Sequence, residues 1–174
     1  RFPRLSGTNV ARDFVELPSQ LYEHWLEEPM VLSRFARHYR TFEALPKALM
    51  DKLLAARTFD QGFATVEFLA CALIDMDFHS LSPHQAATVD PLELQRATLA
   101  RIGMPEEIVP RHGATHFGHV FSGDGYSAGY YSYLWSEVLD ADGFGAFKPD
   151  PFDPAAAKRL YDNIYSSGGT RDFA

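Results

Sequence analysis

Two Asp-Pro pairs, Asp90-Pro91 and Asp153-Pro154, do most to limit what this chain can become. An aspartate side chain accepts the orphan amide protons at a helix start. Proline's fixed φ suits the first helical position and spoils a strand interior. Each pair therefore predicts an N-cap and a first helical residue, with Gly103 stopping the first helix and Gly168-Gly169 the second. Leu45-Pro46 opens another stretch, in which Leu45, Leu49, Met50, Leu53 and Leu54 recur at helical spacing. From Phe59 the stripe continues as Phe63, Val66, Ala70, Leu73 and Ile74, through Phe78. Pro18 to Glu27 predicts a further helix, closed by Pro29. Leu and Ala together number 39, against 20 for Val, Ile and Thr, and that balance favours helix over strand. No strand-like alternation or internal repeat is present, and the Gly, Pro and Asp of residues 140–154 predict a loop. The expected architecture is mainly α, with five to seven helices and irregular connections.

At 174 residues the chain is long enough for one domain with a real core. Its net charge of −7 leaves no basic face for phosphates, which argues against nucleic acid as a partner. No apolar run approaches the roughly 20 residues that span a bilayer, so no membrane role is expected. The lone cysteine, Cys71, lies in the apolar run FLACALI, where it reads as a small buried side chain. The sequence starts at Arg1 without Met or a signal-like segment and stops at Asp172-Phe173-Ala174. That pattern is expected of a piece of a longer chain, whose bared apolar surface would favour self-association.

Three stretches are candidates for chemistry. In Asp13-Phe14-Val15-Glu16-Leu17-Pro18-Ser19-Gln20, Glu16 sits among apolar neighbours, and a carboxylate drawn into such surroundings needs a cation, a metal or several donors. From spacing alone it is a helix-start acid or an ion-pair partner, with metal ligation as the alternative. His116 and His119, three residues apart, could share a metal, but no third ligand stands at a diagnostic spacing. A histidine that hydrogen-bonds a ligand is the simpler reading. His24, His38, His79, His84 and His112 have no partner pattern and read as surface or capping residues.

The third stretch, FSGDGYSAGYYSYLW from Phe121 to Trp135, holds four of the eight tyrosines and three of the twelve glycines. In a helix Tyr126, Tyr130 and Tyr133 would share one face, and Tyr131 and Trp135 another. Such a pattern packs as an amphipathic aromatic stripe, or it presents phenol donors to a carbonyl or an oxyanion. The glycines weaken the packing reading, because they cost helix stability and let a ligand chain approach the backbone, and both uses stay open.

LSGTNVARDFVELPSQLYEHW (Leu5 to Trp25), FGHVFSGDGYSAGYYSYLWSEVL (Phe117 to Leu139) and SSGGTRDF (Ser166 to Phe173) together resemble the C-terminal catalytic portion of a zinc metallopeptidase family. It is the family of thimet oligopeptidase, neurolysin and bacterial dipeptidyl carboxypeptidase. The resemblance covers nearly the whole chain and is nearest to the dipeptidyl carboxypeptidase and oligopeptidase A branches. It implies a helical catalytic subdomain of the neurolysin-like fold, with residues 1–174 forming a single part of it. It further implies that Glu16 is the third zinc ligand, with Gln20 a turn later as its orienting partner. Tyr126 and Tyr133 match tyrosines that face the scissile carbonyl. His119 and Tyr130 match substrate-contacting residues, although the spacing from His119 to Tyr126 is longer than in the animal enzymes.

The family's H-E-x-x-H motif is absent from these residues. The resemblance therefore implies that two zinc ligands and the general base lie before Arg1. The expected function is hydrolysis of short peptides by an intact parent that binds Zn2+, with this piece alone inactive and holding no zinc. A cytoplasmic compartment is expected, with the periplasm as the alternative. The rival reading is a non-catalytic helical module that binds peptides through the tyrosine segment.

Overall fold

A computed structural model describes residues 7–171 of the chain. Arg1, Leu5, Ser6 and the closing Asp172-Phe173-Ala174, which carry parts of the first and third motifs, lie outside the described residues. Among those described, the chain forms α1 (Leu17–Leu26), α2 (Pro29–Phe35), α3 (Lys47–Ala56), α4 (Gln61–His79) and α5 (Pro83–Ala86). It continues as α6 (Pro91–Arg101), α7 (Gly118–Phe121), α8 (Ser132–Gly145) and α9 (Pro154–Leu160). The described residues contain no strand, and an isolated bridge joins Arg37 and Ala44. The mainly α architecture is as expected; α2, α5 and α7, each seven residues or fewer, raise the helix number.

The predicted starts behave as their chemistry requires. Asp90 accepts the amides of Leu92 at 2.8 Å and Glu93 at 3.0 Å, and Asp153 accepts that of Ala155 at 2.8 Å. Gly103 ends α6 at a φ of +68°, a conformation that side chains resist. Past α9 the chain runs through a π-helical turn, Tyr161–Tyr165, to Gly168 at a φ of +52°. Pro29 does more than close α1: it opens α2, as proline at a first helical turn can. The 140–154 loop is also shorter than predicted, because α8 extends to Gly145. Asp140 and Phe144 are both buried there, and packing overrides the weak propensity of Gly143 and Gly145.

Contacts divide the chain into two compact units: the chain through Phe59 with Tyr133 onward, and Asp60–Ser132. In the first, Leu17 and Leu21 of α1 and Phe144 of α8 form a buried core, with Phe14, Trp25, Leu139, Leu160 and Ile164 packed on it. Leu21 is fully buried, which is worth roughly 1.5–3 kcal/mol against exposure. The Trp25 ring lies edge-on to Phe144 and Phe147, 4.9 Å from each, and its Nε1 donates to the Pro151 carbonyl at 2.8 Å. By contrast, α3 buries none of its side chains.

In the second unit α4 buries Ala70, Cys71, Ala72, Ile74 and Asp75, so the lone cysteine is internal as expected. Burial pushes the Cys71 thiol up, opposed by the nearby backbone amides of His112 and Arg111. Helix α6 is latched to α4 through Asp77, which accepts from Thr98 Oγ1 and from Arg101 Nη2, each at 2.5 Å.

Candidate functional site

The five predicted site residues are shared between the units: Glu16 and Tyr133 belong to the first, His119, Tyr126 and Tyr130 to the second. Glu16 is the N-cap of α1 and is half-buried, as its apolar neighbours imply. Its side chain makes no capping bond; instead Ser19 Oγ donates to its Oε2 at 3.3 Å and to its carbonyl at 2.9 Å. Gln20 follows one turn later. Its Nε2 donates to the carbonyl of Tyr133 at 3.2 Å, tying α1 to the first turn of α8, while its buried Oε1 has no hydrogen-bond partner among the described residues. Ser136 adds a second tie, donating to the carbonyl of Asp13 at 3.1 Å.

A family zinc ion can be tested against these residues. Glu16, a partly accessible carboxylate positioned by a serine, fits one ligand place. Among the described residues no group of three or more His, Cys, Asp or Glu side chains is placed to hold a metal ion. The His116 ring lies 3.1 Å from Thr115 Oγ1.

In the second unit the structure gathers three predicted residues. The His119 ring lies edge-on to Tyr126 at 4.8 Å and to Tyr130 at 5.4 Å between centroids. Tyr130 stacks on Phe68 at 4.7 Å and is only 4% exposed, whereas His119 is exposed and Tyr126 half-buried. The expected helical face is not how this is achieved. Residues 122–131 form successive turns, and only Tyr133 stands in a helix, α8. The glycines contribute, with Gly123 at a φ of +149°, but Ala128 also takes a left-handed φ of +53°.

Asp75, a residue the sequence reading left unremarked, bonds to this segment. Its carboxylate is fully buried on α4 and accepts the Ala128 amide at 3.0 Å and the Tyr130 amide at 2.9 Å. A helix through 126–131 would spend the Tyr130 amide on the Tyr126 carbonyl instead. His79, read as a surface or capping residue, places Nδ1 2.7 Å from Asp75 Oδ1 and 3.0 Å from the Asp75 carbonyl. Facing two acceptors, that nitrogen carries the proton. The readable signal was an Asp and a His four apart on the apolar stripe of a helix.

His112 is likewise more than a surface residue. It stacks on Phe117 at 4.9 Å and meets Tyr130 edge-on at 5.9 Å. Burial holds its pKa below the ordinary histidine value, assisted by the nearby charges of His119 and Arg111. Arg111 pairs with Glu67 at 2.9 Å, and that bond raises the guanidinium still further.

Comparison with known proteins now bears on this geometry. The family model described as peptidase family M3 matches residues 1–174. Dipeptidyl carboxypeptidase of Escherichia coli is 44% identical over 148 residues, covering 84% of this chain and 21% of the relative. Oligopeptidase A of the same organism is 40% identical over 170 residues, covering 95% and 24%. The chloroplastic and mitochondrial organellar oligopeptidase A of Arabidopsis thaliana is 36% identical over 174 residues, covering 92% and 21%. The chain thus spans about a quarter or less of the length of these relatives. No helix among the described residues is long and apolar enough to cross a membrane.

Proposed function

This chain belongs to peptidase family M3, and we propose that it forms part of the catalytic domain of a zinc-dependent peptidase that hydrolyses short peptides. One observation carries the reading beyond the family match: an exposed His119 stands edge-on to Tyr126 and Tyr130 in a segment built of turns. Turns leave side chains and backbone open to an extended peptide in a way that a regular helix does not.

In this reading the Glu16 carboxylate would help to hold a zinc ion, with the remaining ligands and the general base supplied from outside this sequence. Zinc, when bound, lowers the pKa of water and polarises a peptide carbonyl. This chain's own residues then have separate tasks. Gln20 fixes α1, and with it Glu16, against the backbone that carries Tyr133. The Tyr126 and Tyr133 hydroxyls donate to the carbonyl oxygen of the scissile bond. Those hydrogen bonds strengthen as negative charge develops, and such contacts accelerate the step rather than merely tightening binding. His119 and Tyr130 hold the peptide beside them. A cytoplasmic compartment belongs to the same reading.

The test uses the intact protein and a fluorogenic oligopeptide. Chelation should abolish hydrolysis and zinc should restore it. Tyr133→Phe should lower kcat on the order of 10²-fold, the usual worth of one oxyanion donor, with KM within about threefold. An unchanged kcat would return Tyr133 to packing. Peptide binding without any hydrolysis by the wild type would favour a non-catalytic module instead.

A further inference from the structure

We propose that Asp75 is the positioning residue of the tyrosine segment, its carboxylate setting the backbone that brings Tyr126 and Tyr130 around His119. For its effect on turnover the inference rests on the peptidase reading above; the structural part does not. Asp75 is fully buried, and a buried carboxylate persists only when its lone pairs are met. Three donors meet them: the amides of Ala128 and Tyr130, one on each oxygen, and His79 Nδ1.

The two amides are not interchangeable with others nearby. They bracket Gly129, and the residue carrying the first of them, Ala128, stands at a φ of +53° that an alanine rarely adopts. A side chain accepting from both ends of such a turn holds it where the local preference alone would not. The segment also has local bonds: Gly129 N–H donates to the Tyr126 carbonyl at 2.9 Å, and Ser127 Oγ to the carbonyls of Val120 and Gly123, each at 3.1 Å. Asp75 alone among these partners reaches the segment from a long helix, 53 and 55 residues away in sequence. His79 completes the support, since its ring also stacks on Phe121 at 5.3 Å.

The test compares Asp75→Asn and His79→Gln in the intact protein by amide hydrogen exchange and by peptide kinetics. Asparagine keeps the shape but turns an NH2 toward one of the two amides. We expect Ala128 and Tyr130 exchange to quicken at least about tenfold and kcat to fall at least about tenfold, with KM within about threefold and the far-UV spectrum unchanged. His79→Gln keeps both backbone bonds, so exchange at Ala128 and Tyr130 should stay near wild type. Equal loosening by the two variants, or none by Asp75→Asn, overturns the proposal. Should Asp75→Asn not fold, the wild type decides: Ala128 and Tyr130 must exchange more slowly than Gly123 and Asp124, and parity overturns the proposal. A wild type that hydrolyses nothing while Asp75→Asn still loosens the segment sinks the peptidase reading and keeps the role of Asp75. Full activity with unchanged exchange does the reverse.

Discussion

Each unit contains a histidine and an aspartate 2.7 Å apart, yet the two pairs hold different things. In the first unit His24 of α1 reaches Asp140 of α8, and its ring stacks on Phe144 at 4.6 Å. That pair joins helix to helix and adds a polar stitch to the Leu17, Leu21 and Phe144 core. In the second unit both partners lie on α4, four residues apart, and the pair joins no helices. Its aspartate has both oxygens left to receive backbone amides from an irregular segment. The same two side chains thus serve as a staple where both elements are regular, and as a mould where one of them is not.

Asp75→Ala tests the mould most severely. It strands two amides and a ring nitrogen, so unfolding free energy should fall by roughly 2–5 kcal/mol, read from denaturant titration. A loss below about 1 kcal/mol would mean that water replaces the carboxylate. Asp140→Asn keeps an acceptor for His24 and should lose about 1–2 kcal/mol, without altering amide exchange at Ala128 or Tyr130. A change there would blur the distinction between staple and mould.

Acid should act on the second unit through His112. Its folded-state pKa lies below the ordinary 6.5, so in that interval the unfolded chain takes up the proton first. Its contribution to stability is whole above about pH 6.5 and is lost as pH falls from there toward the folded-state value. His112→Gln should therefore shrink the difference in denaturation midpoint between pH 7 and pH 5. An unchanged difference assigns the acid sensitivity elsewhere. Weakest of all should be Val138→Thr on the exposed side of α8, within about 0.5 kcal/mol of wild type. A larger effect would show that this face is covered in solution.

The sequence made the helix starts legible because their chemistry is local: Asp90 and Asp153 cap amides two or three residues away. The half-burial of Glu16 was legible through its apolar neighbours. The shape of the tyrosine segment was not legible. Spacing suggested a helix, but the deciding acceptor, Asp75, sits more than fifty residues earlier, where one aspartate in an apolar stripe does not reveal what it will bind. His112 was misread for the same reason, since its partners are rings brought close only by folding. The extent of α8 was hidden too, because burial of Asp140 and Phe144 outweighs two glycines.

Both tryptophans, Trp25 and Trp135, fall in the first unit. Indole emission therefore watches that half of the molecule and is blind to the other. A thermal melt recorded by such fluorescence will superimpose on one recorded by circular dichroism only when the two halves come apart together. If the dichroic signal moves first, the half that carries Asp75 is the one giving way.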